Sequence, residues 1–264
     1  MIKSTGNARV REVSALVKKA KARREQRLFI VEGPKMFAEL PKEKQREVYV
    51  SDVFLRQHKD AEALLSGCRY ETVSDDVMKY MSDTQTPQGV LAVAEQFSYT
   101  LGDVVENGAD RPAHLIVLET LQDPGNLGTI LRAGEGAGVT GILMDAHTAD
   151  IYNPKVIRST MGSVLRVPFV YTDDLPAALN KLKKQGIRLF AAHLKGEKSY
   201  DQEDYTGDMG FLIGNEANGL SDTIAAMADT YVKIPMAGKV ESLNAAVAAS
   251  VLMFEAARQR RNAQ

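Results

Sequence analysis

Six short, almost purely apolar runs at 114–119, 140–144, 165–170, 187–192, 210–214 and 231–234 alternate with segments of helical periodicity. Those segments fall at about 127–137, 154–161, 174–185, 220–227 and 242–260. No other feature constrains the chain as much. A strand that is apolar on both faces must be covered on both, and strand–helix alternation sets successive strands side by side in parallel. The C-terminal half is therefore expected to be an α/β domain built on a parallel sheet. In such sheets ligands bind beyond the carboxyl ends of the strands.

The first hundred residues are organised differently. Val10, Val13, Val17 and Ala20, with Leu16 beside them, recur at helical spacing from Asn7, a suitable N-cap, to about Arg24. Leu28-Phe29-Ile30-Val31 reads as a short buried strand. Further strands fit at 47–51 and 89–94, with a helix near 59–66. A small α/β domain over 1–100 is expected, then a linker at 101–112 where Gly, Asn and Pro interrupt the pattern, then the larger domain at 113–264.

The net charge of −1 argues against a generic polyanion binder, yet residues 1–27 hold nine bases and only two acids. A local basic stripe serves either as an electrostatic footprint for phosphates or as a solvated helix face. The single cysteine, Cys68, excludes an intrachain disulfide. His58, His114, His147 and His193 are scattered, and no zinc spacing is visible, so no metal is expected. Neither a signal-peptide core nor a run long enough to span a membrane is visible, so a cytoplasmic protein is expected.

Three loops at strand ends carry the chemical signal. After 114–119 comes Leu121-Gln122-Asp123-Pro124-Gly125-Asn126-Leu127-Gly128-Thr129-Ile130-Leu131-Arg132. This is a Gly-rich turn feeding a helix N-terminus, without the Lys-Ser/Thr of a P-loop or the dinucleotide glycine spacing. After 210–214 comes Asn215-Glu216-Ala217-Asn218-Gly219, a carboxylate between asparagines that serves either as a helix cap or as a site residue. After 231–234 comes Pro235-Met236-Ala237-Gly238-Lys239-Val240-Glu241-Ser242-Leu243-Asn244. Here Ser242 reads as the N-cap of the last helix, with Asn244 inside its first turn and small residues following.

Taken together and in order, the three loops resemble the signature motifs of the SpoU (TrmH) class of RNA 2′-O-ribose methyltransferases in the SPOUT superfamily. The match runs over 113–264. The N-terminal segment, with Asn7, Phe29-Ile30-Val31-Glu32-Gly33 and Thr86-Pro87-Gln88-Gly89-Val90, is similar to the substrate-binding domain that many members carry.

The resemblance implies an α/β fold in which the parallel-sheet domain ends in a deep trefoil knot over roughly 190–260, preceded by a small L30e-like α/β domain. It implies S-adenosylmethionine as cofactor, held by His193, Leu194, Gly214, Ile234, Met236 and Leu243. It assigns Arg132, Asn126, Glu216, Ser242 and Asn244 to the catalytic site. Arg132 stands either as the group that activates the ribose hydroxyl or as an electrostatic clamp, since a guanidinium stays protonated. Asn7, Arg9, Lys18, Arg23, Arg24, Lys155 and Arg158 are the candidates for RNA contact. Ribosomal RNA is expected ahead of transfer RNA, and a homodimer through the C-terminal domain. Two rivals stay open: a dinucleotide-dependent oxidoreductase, from the Gly-rich first loop, and a non-catalytic RNA-binding relative.

Overall fold

A computed structural model describes residues 1–106, 111–194 and 196–263. The chain packs into two units, one made of Met1–Phe97 with Asp150–Leu165, the other of Ser98–Ala149 with Arg166–Gln264.

The first unit contains a four-stranded mixed sheet: β1 (Leu28–Glu32), β2 (Gln45–Ser51), β3 (Glu71–Val73) and β4 (Val90–Glu95), in the order β1-β4-β2-β3. The helix expected from Asn7 to Arg24 is two helices, Ala8–Lys18 and Ala20–Gln26, broken where Lys19 turns extended. Asn7 caps the first, accepting from the Arg9 N–H at 3.0 Å. The break has a physical cause in Arg23, which is only 3% exposed. Its guanidinium donates to the carbonyls of Leu16 (2.7 Å) and Val17 (3.1 Å), the orphan acceptors at the end of the first helix. Its other edge holds the Asp150 carboxylate at 2.6 and 2.9 Å.

Asp150 belongs to a segment expected in the C-terminal domain. Asp150–Leu165 instead packs with the first unit, its helix Pro154–Thr160 against β1. The Tyr152 hydroxyl accepts from the Phe97 N–H at 2.7 Å, and its ring packs on Phe29 at 4.7 Å between centroids.

The second unit holds β5 (His114–Leu118), β6 (Gly141–Asp145), β7 (Phe169–Thr172), β8 (Arg188–Ala192), β9 (Lys198–Ser199), β10 (Met209–Ile213) and β11 (Thr230–Lys233). Every pairing is parallel, in the order β7-β6-β5-β10-β8-β11-β9. β5, β6 and β10 are buried at all their residues, as strands covered on both faces must be. On one face Leu115, Val117, Leu143 and Leu212 pack with Leu175, Leu179 and Leu182 of the helix Leu175–Lys184. The helices Pro124–Gly136 and Ala245–Asn262 pack against each other, Gly134 lying beside Met253.

Two sequence expectations are corrected here. Leu101–Glu106, expected as linker, is a helix with Val104 fully buried in the sheet's core; a Cβ on Gly141 would overlap Val104, so glycine is what admits it. Residues 107–110 of that linker lie outside the described residues. The strand expected at 165–170 begins only at Phe169, because Ser163–Leu165 forms a 3-10 turn and Pro168 precedes the strand.

The far end of the last helix is fastened by Arg260. Its guanidinium donates to the carbonyls of Tyr205 (3.0 Å), Pro112 (2.9 Å), Ala113 (2.8 Å) and Gly207 (2.7 Å).

Candidate functional site

The register of three neighbouring strands assembles half of the site. β10 pairs with β8 through Leu212↔Ala191, and β8 with β11 through Ala192↔Val232. Gly214, His193 and Ile234, each one residue past its strand, therefore stand side by side at the carboxyl edge, on adjacent strands about 4.8 Å apart. The His193 N–H donates to the Val232 carbonyl at 3.0 Å, and its ring stacks on Tyr231 at 4.9 Å.

Gly214 has no room for a side chain, since a Cβ would overlap the backbone of Gly219 and Leu220. The turn between them closes through Asn215 N–H to Gly219 O (3.0 Å) and Gly219 N–H to Asn215 O (2.9 Å). Next to this edge Leu194 is 72% exposed, while Ile234, Met236 and Leu243 are half-buried. One exposed and three half-buried apolar side chains beside strand-end backbone are a fitting cradle for a nucleoside with a polar edge and an apolar face. The residues present therefore fit S-adenosylmethionine.

Glu216 organises the other half. Its carboxylate accepts from the backbone N–H of Gln122 (3.2 Å) and Asp123 (3.1 Å) and from the Asn126 side-chain amide (3.0 Å). Partial burial pushes the Glu216 pKa up, but the bonds from Asn126 and the backbone N–H groups outweigh it and the net shift is downward. Glu216 is thus an ionised acceptor with its donors already supplied. The Asn126 carbonyl oxygen in turn accepts from the Asn244 amide at 3.0 Å. One chain of hydrogen bonds, Glu216–Asn126–Asn244, ties all three motif loops together.

Asn244 also corrects a reading of the sequence. It, and not Ser242, is the N-cap of the last helix, its Oδ1 accepting from Ala246 N–H (2.9 Å) and Val247 N–H (3.3 Å). Asn and Ser are equally good caps, and the helix starts two residues later than periodicity alone suggests. Ser242 lies exposed in the preceding loop. Arg132 projects from the helix Pro124–Gly136, exposed and with no hydrogen-bond or ion-pair partner among the described residues.

Two residues at the heart of this loop system carried no weight in the sequence. Thr120, in the left-handed region, and Asp145, ending β6, bond to each other through side chain and backbone. An acid closing an apolar run was the only visible signal.

The RNA-contact candidates divide. Arg23 is removed from them: a group 3% exposed and bonded to Asp150, Leu16 and Val17 cannot reach a phosphate. Arg9 is engaged by Glu47 and Glu71, both at 3.2 Å, and Arg158 by Asp83 at 2.9 Å. The Asn7 side chain is spent on its cap. The Lys18 ammonium lies 4.6 Å from the centroid of the Tyr80 ring, and Arg24 and Lys155 are exposed. Among the described residues no group of His, Cys, Asp and Glu could hold a metal, and no helix is long and apolar enough to cross a membrane.

Residues 113–254 match the model of the SpoU rRNA methylase family. The chain belongs to that family. Residues 7–92 match an MRM3-like substrate binding domain. A similar relative is the 23S rRNA (guanosine(2553)-2'-O)-methyltransferase RlmP of Bacillus subtilis, 28% identical and covering 96% of this chain and 97% of its own length. The 23S rRNA (guanosine-2'-O-)-methyltransferase RlmB of Ralstonia nicotianae is 33% identical, over 76% of this chain and 81% of its own. Among solved structures, the SpoU methyltransferase AviRb from Streptomyces viridochromogenes in complex with AdoMet matches with a TM-score of 0.86 and 29% identity, over 97% of this chain and 98% of that one. The oxidoreductase reading ends here.

Proposed function

We propose that this SpoU methylase transfers the methyl group of S-adenosylmethionine to a ribose 2′-hydroxyl of ribosomal RNA, at the carboxyl edge of its parallel sheet. The observation that carries this is the Glu216–Asn126–Asn244 chain, which draws the three motif loops into one assembly.

Bound S-adenosylmethionine supplies an electrophilic methyl carbon. His193, Leu194, Gly214, Ile234, Met236 and Leu243 would hold it, through apolar side chains and strand-end backbone. A ribose hydroxyl is a weak nucleophile at neutral pH and gains negative charge as it attacks. Arg132 answers that charge. A guanidinium stays protonated, so it acts as a clamp on the neighbouring phosphate and on the developing alkoxide, not as a base, and the proton that the hydroxyl loses passes to solvent water. Glu216 and Asn126 fix the start of the helix from which Arg132 projects. Asn244 fixes the last helix to the same point, and Ser242, exposed beside it, contacts the ribose.

The full-length relatives named for 23S rRNA support ribosomal over transfer RNA. The first unit supplies the RNA grip through Lys18, Arg24 and Lys155, in the cytoplasm with its RNA. The active form is a homodimer: Val247 (47% exposed), Val251 and Phe254 (48%) form an apolar stripe on the last helix that a second copy would cover. A trefoil knot spans roughly 190–260. Gly196, whose Cβ would lie 2.9 Å from the Val232 carbonyl carbon and 3.0 Å from the Lys233 nitrogen, supports such backbone-on-backbone packing.

Calorimetric titration with S-adenosylmethionine and, separately, with NAD tests the proposal. Binding of the first alone is expected, with 2′-O-methylation of ribosomal RNA restored when the protein is returned to a deletion strain. Failure to bind S-adenosylmethionine even with total RNA present would overturn it.

A further inference from the structure

Thr120 has φ +53°, in the left-handed region where a β-branched side chain crowds its own backbone. Among the described residues two other non-glycines share a positive φ, Arg27 and Met161, and both end helices, where such a residue is ordinary. Thr120 ends no helix. It stands just past β5, after Glu119, whose N–H makes the last sheet bond, to Ile213 O at 3.0 Å. The sheet therefore does not require its conformation.

Asp145 does. The Thr120 N–H donates to Asp145 Oδ1 at 3.0 Å and its hydroxyl to Oδ2 at 2.7 Å. The same carboxylate, 9% exposed, accepts from the Thr148 N–H (2.8 Å) and hydroxyl (2.7 Å). On its other side the Thr120 carbonyl accepts from the Asn215 amide at 2.8 Å. Burial pushes the Asp145 pKa up, but the bonds from Thr120 and Thr148 prevail and the net shift is downward.

The onward course of the chain depends on this turn. Leu121 is swung into the core, 0% exposed, its N–H on Thr148 Oγ1 (3.3 Å) and its carbonyl taking the Ala149 N–H (2.8 Å). The Gln122 side chain reaches the His147 carbonyl at 2.6 Å. Only then do the N–H groups of Gln122 and Asp123 face Glu216.

We propose that Asp145, acting through left-handed Thr120, is a positioning residue of the methyl-transfer site, setting the direction in which the 121–126 loop leaves the sheet and so the placement of Asn126 and Arg132. With those bonds gone, Thr120 relaxes to negative φ and the next peptides rotate away from Glu216. The inference rests on the assignment of Arg132 and Asn126 to the reacting site.

The test uses the full-length protein in two pairs. Thr120→Ser and Asp145→Asn keep a hydrogen-bonding match to the hydroxyl, whereas Thr120→Val removes the hydroxyl bond and leaves the backbone N–H on Oδ1, and Asp145→Ala removes both. The readouts are kcat and KM for RNA methylation, Kd for S-adenosylmethionine, and Tm. Thr120→Val and Asp145→Ala are expected to lower kcat about 10- to 100-fold, the cost of roughly an ångström of misplacement. Cofactor Kd should stay within about twofold, and Thr120→Ser and Asp145→Asn should recover most of the rate. Wild-type kcat in Thr120→Val would overturn the proposal, as would kcat and cofactor affinity falling together in step with Tm. If Asp145→Ala does not fold, the Thr120 pair decides alone. Arg132→Ala is run alongside: full activity there removes the site assignment itself, while its loss beside an unaffected Thr120→Val removes only the positioning role.

Discussion

The first unit's basic helices and the second unit's strand-end loops use charged and amide side chains in opposite ways. Arg23 in the first has its guanidinium on one carboxylate and two carbonyls, and water barely reaches it. Arg132 in the second is exposed and unpaired among the described residues, although Glu216, Asn126 and Asn244 nearby in the loop system are bonded to one another. A charge whose donors are all engaged inside a unit is holding the fold. A charge left unpaired among the described residues is available to a ligand.

The largest effect should come from removing the free one. Arg132→Ala is expected to lower kcat about 10³-fold, the loss typical of one preorganised charge-stabilising donor. Cofactor affinity measured by calorimetry should not move; unchanged methyl incorporation would break the comparison at once.

Removing the engaged one should instead cost stability. Arg23→Met leaves Asp150 without its partner and two helix-end carbonyls bare, an expected loss of about 3 kcal/mol, toward the low end for a buried pair because Asp150 is 27% exposed. Urea unfolding would report it. A variant of native stability with weakened RNA binding would mean that Arg23 faces RNA after all.

His114 sharpens what "free" means, since it is 0% exposed and neither ring nitrogen has a partner among the described residues. Burial, with Arg260 and Arg111 nearby, pushes its pKa down to about 3. The folded state then refuses a proton that the unfolded chain takes up near pH 6.5. Its contribution is complete above about pH 6.5 and is lost as pH falls toward 3, at up to about 1.4 kcal/mol per pH unit. His114→Phe should flatten that part of the stability–pH curve; an unchanged slope would show that carboxylates dominate it.

The smallest effect separates two surface bases. Arg24→Ala should reduce the salt dependence of RNA binding by about 0.7–0.9 of a log–log unit if it meets one phosphate. Lys18, already over Tyr80, should change it less. Equal slopes for both variants and wild type would make this a solvated face.

The second unit's sheet was legible because buried parallel strands are continuous apolar runs, as at Leu115-Ile116-Val117-Leu118. The three motif loops were legible because unusual polar residues come directly after such runs. The inward turn of Arg23 was not: on the helix it reads as one base among nine, and its partner lies 127 residues away. Nor was the membership of Asp150–Leu165, since local pattern cannot say which unit a capped helix joins. Thr120 escaped because nothing in a Thr-Leu-Gln sequence announces a left-handed residue; only Asp145, brought alongside by the sheet, makes it stable.

Arg260 sets an order of events during synthesis. It grips the carbonyls of Pro112 and Ala113, residues made up to 148 positions earlier. A ribosome adding about 5–20 residues per second needs roughly 7–30 s to cover that distance. Through that interval the start of β5 waits without the guanidinium that closes over it, so the second unit reaches its finished form only after residue 260 has left the exit tunnel. The first unit has its sheet strands and N-terminal helices long before, but it too waits, for Asp150 and the helix Pro154–Thr160 that follows.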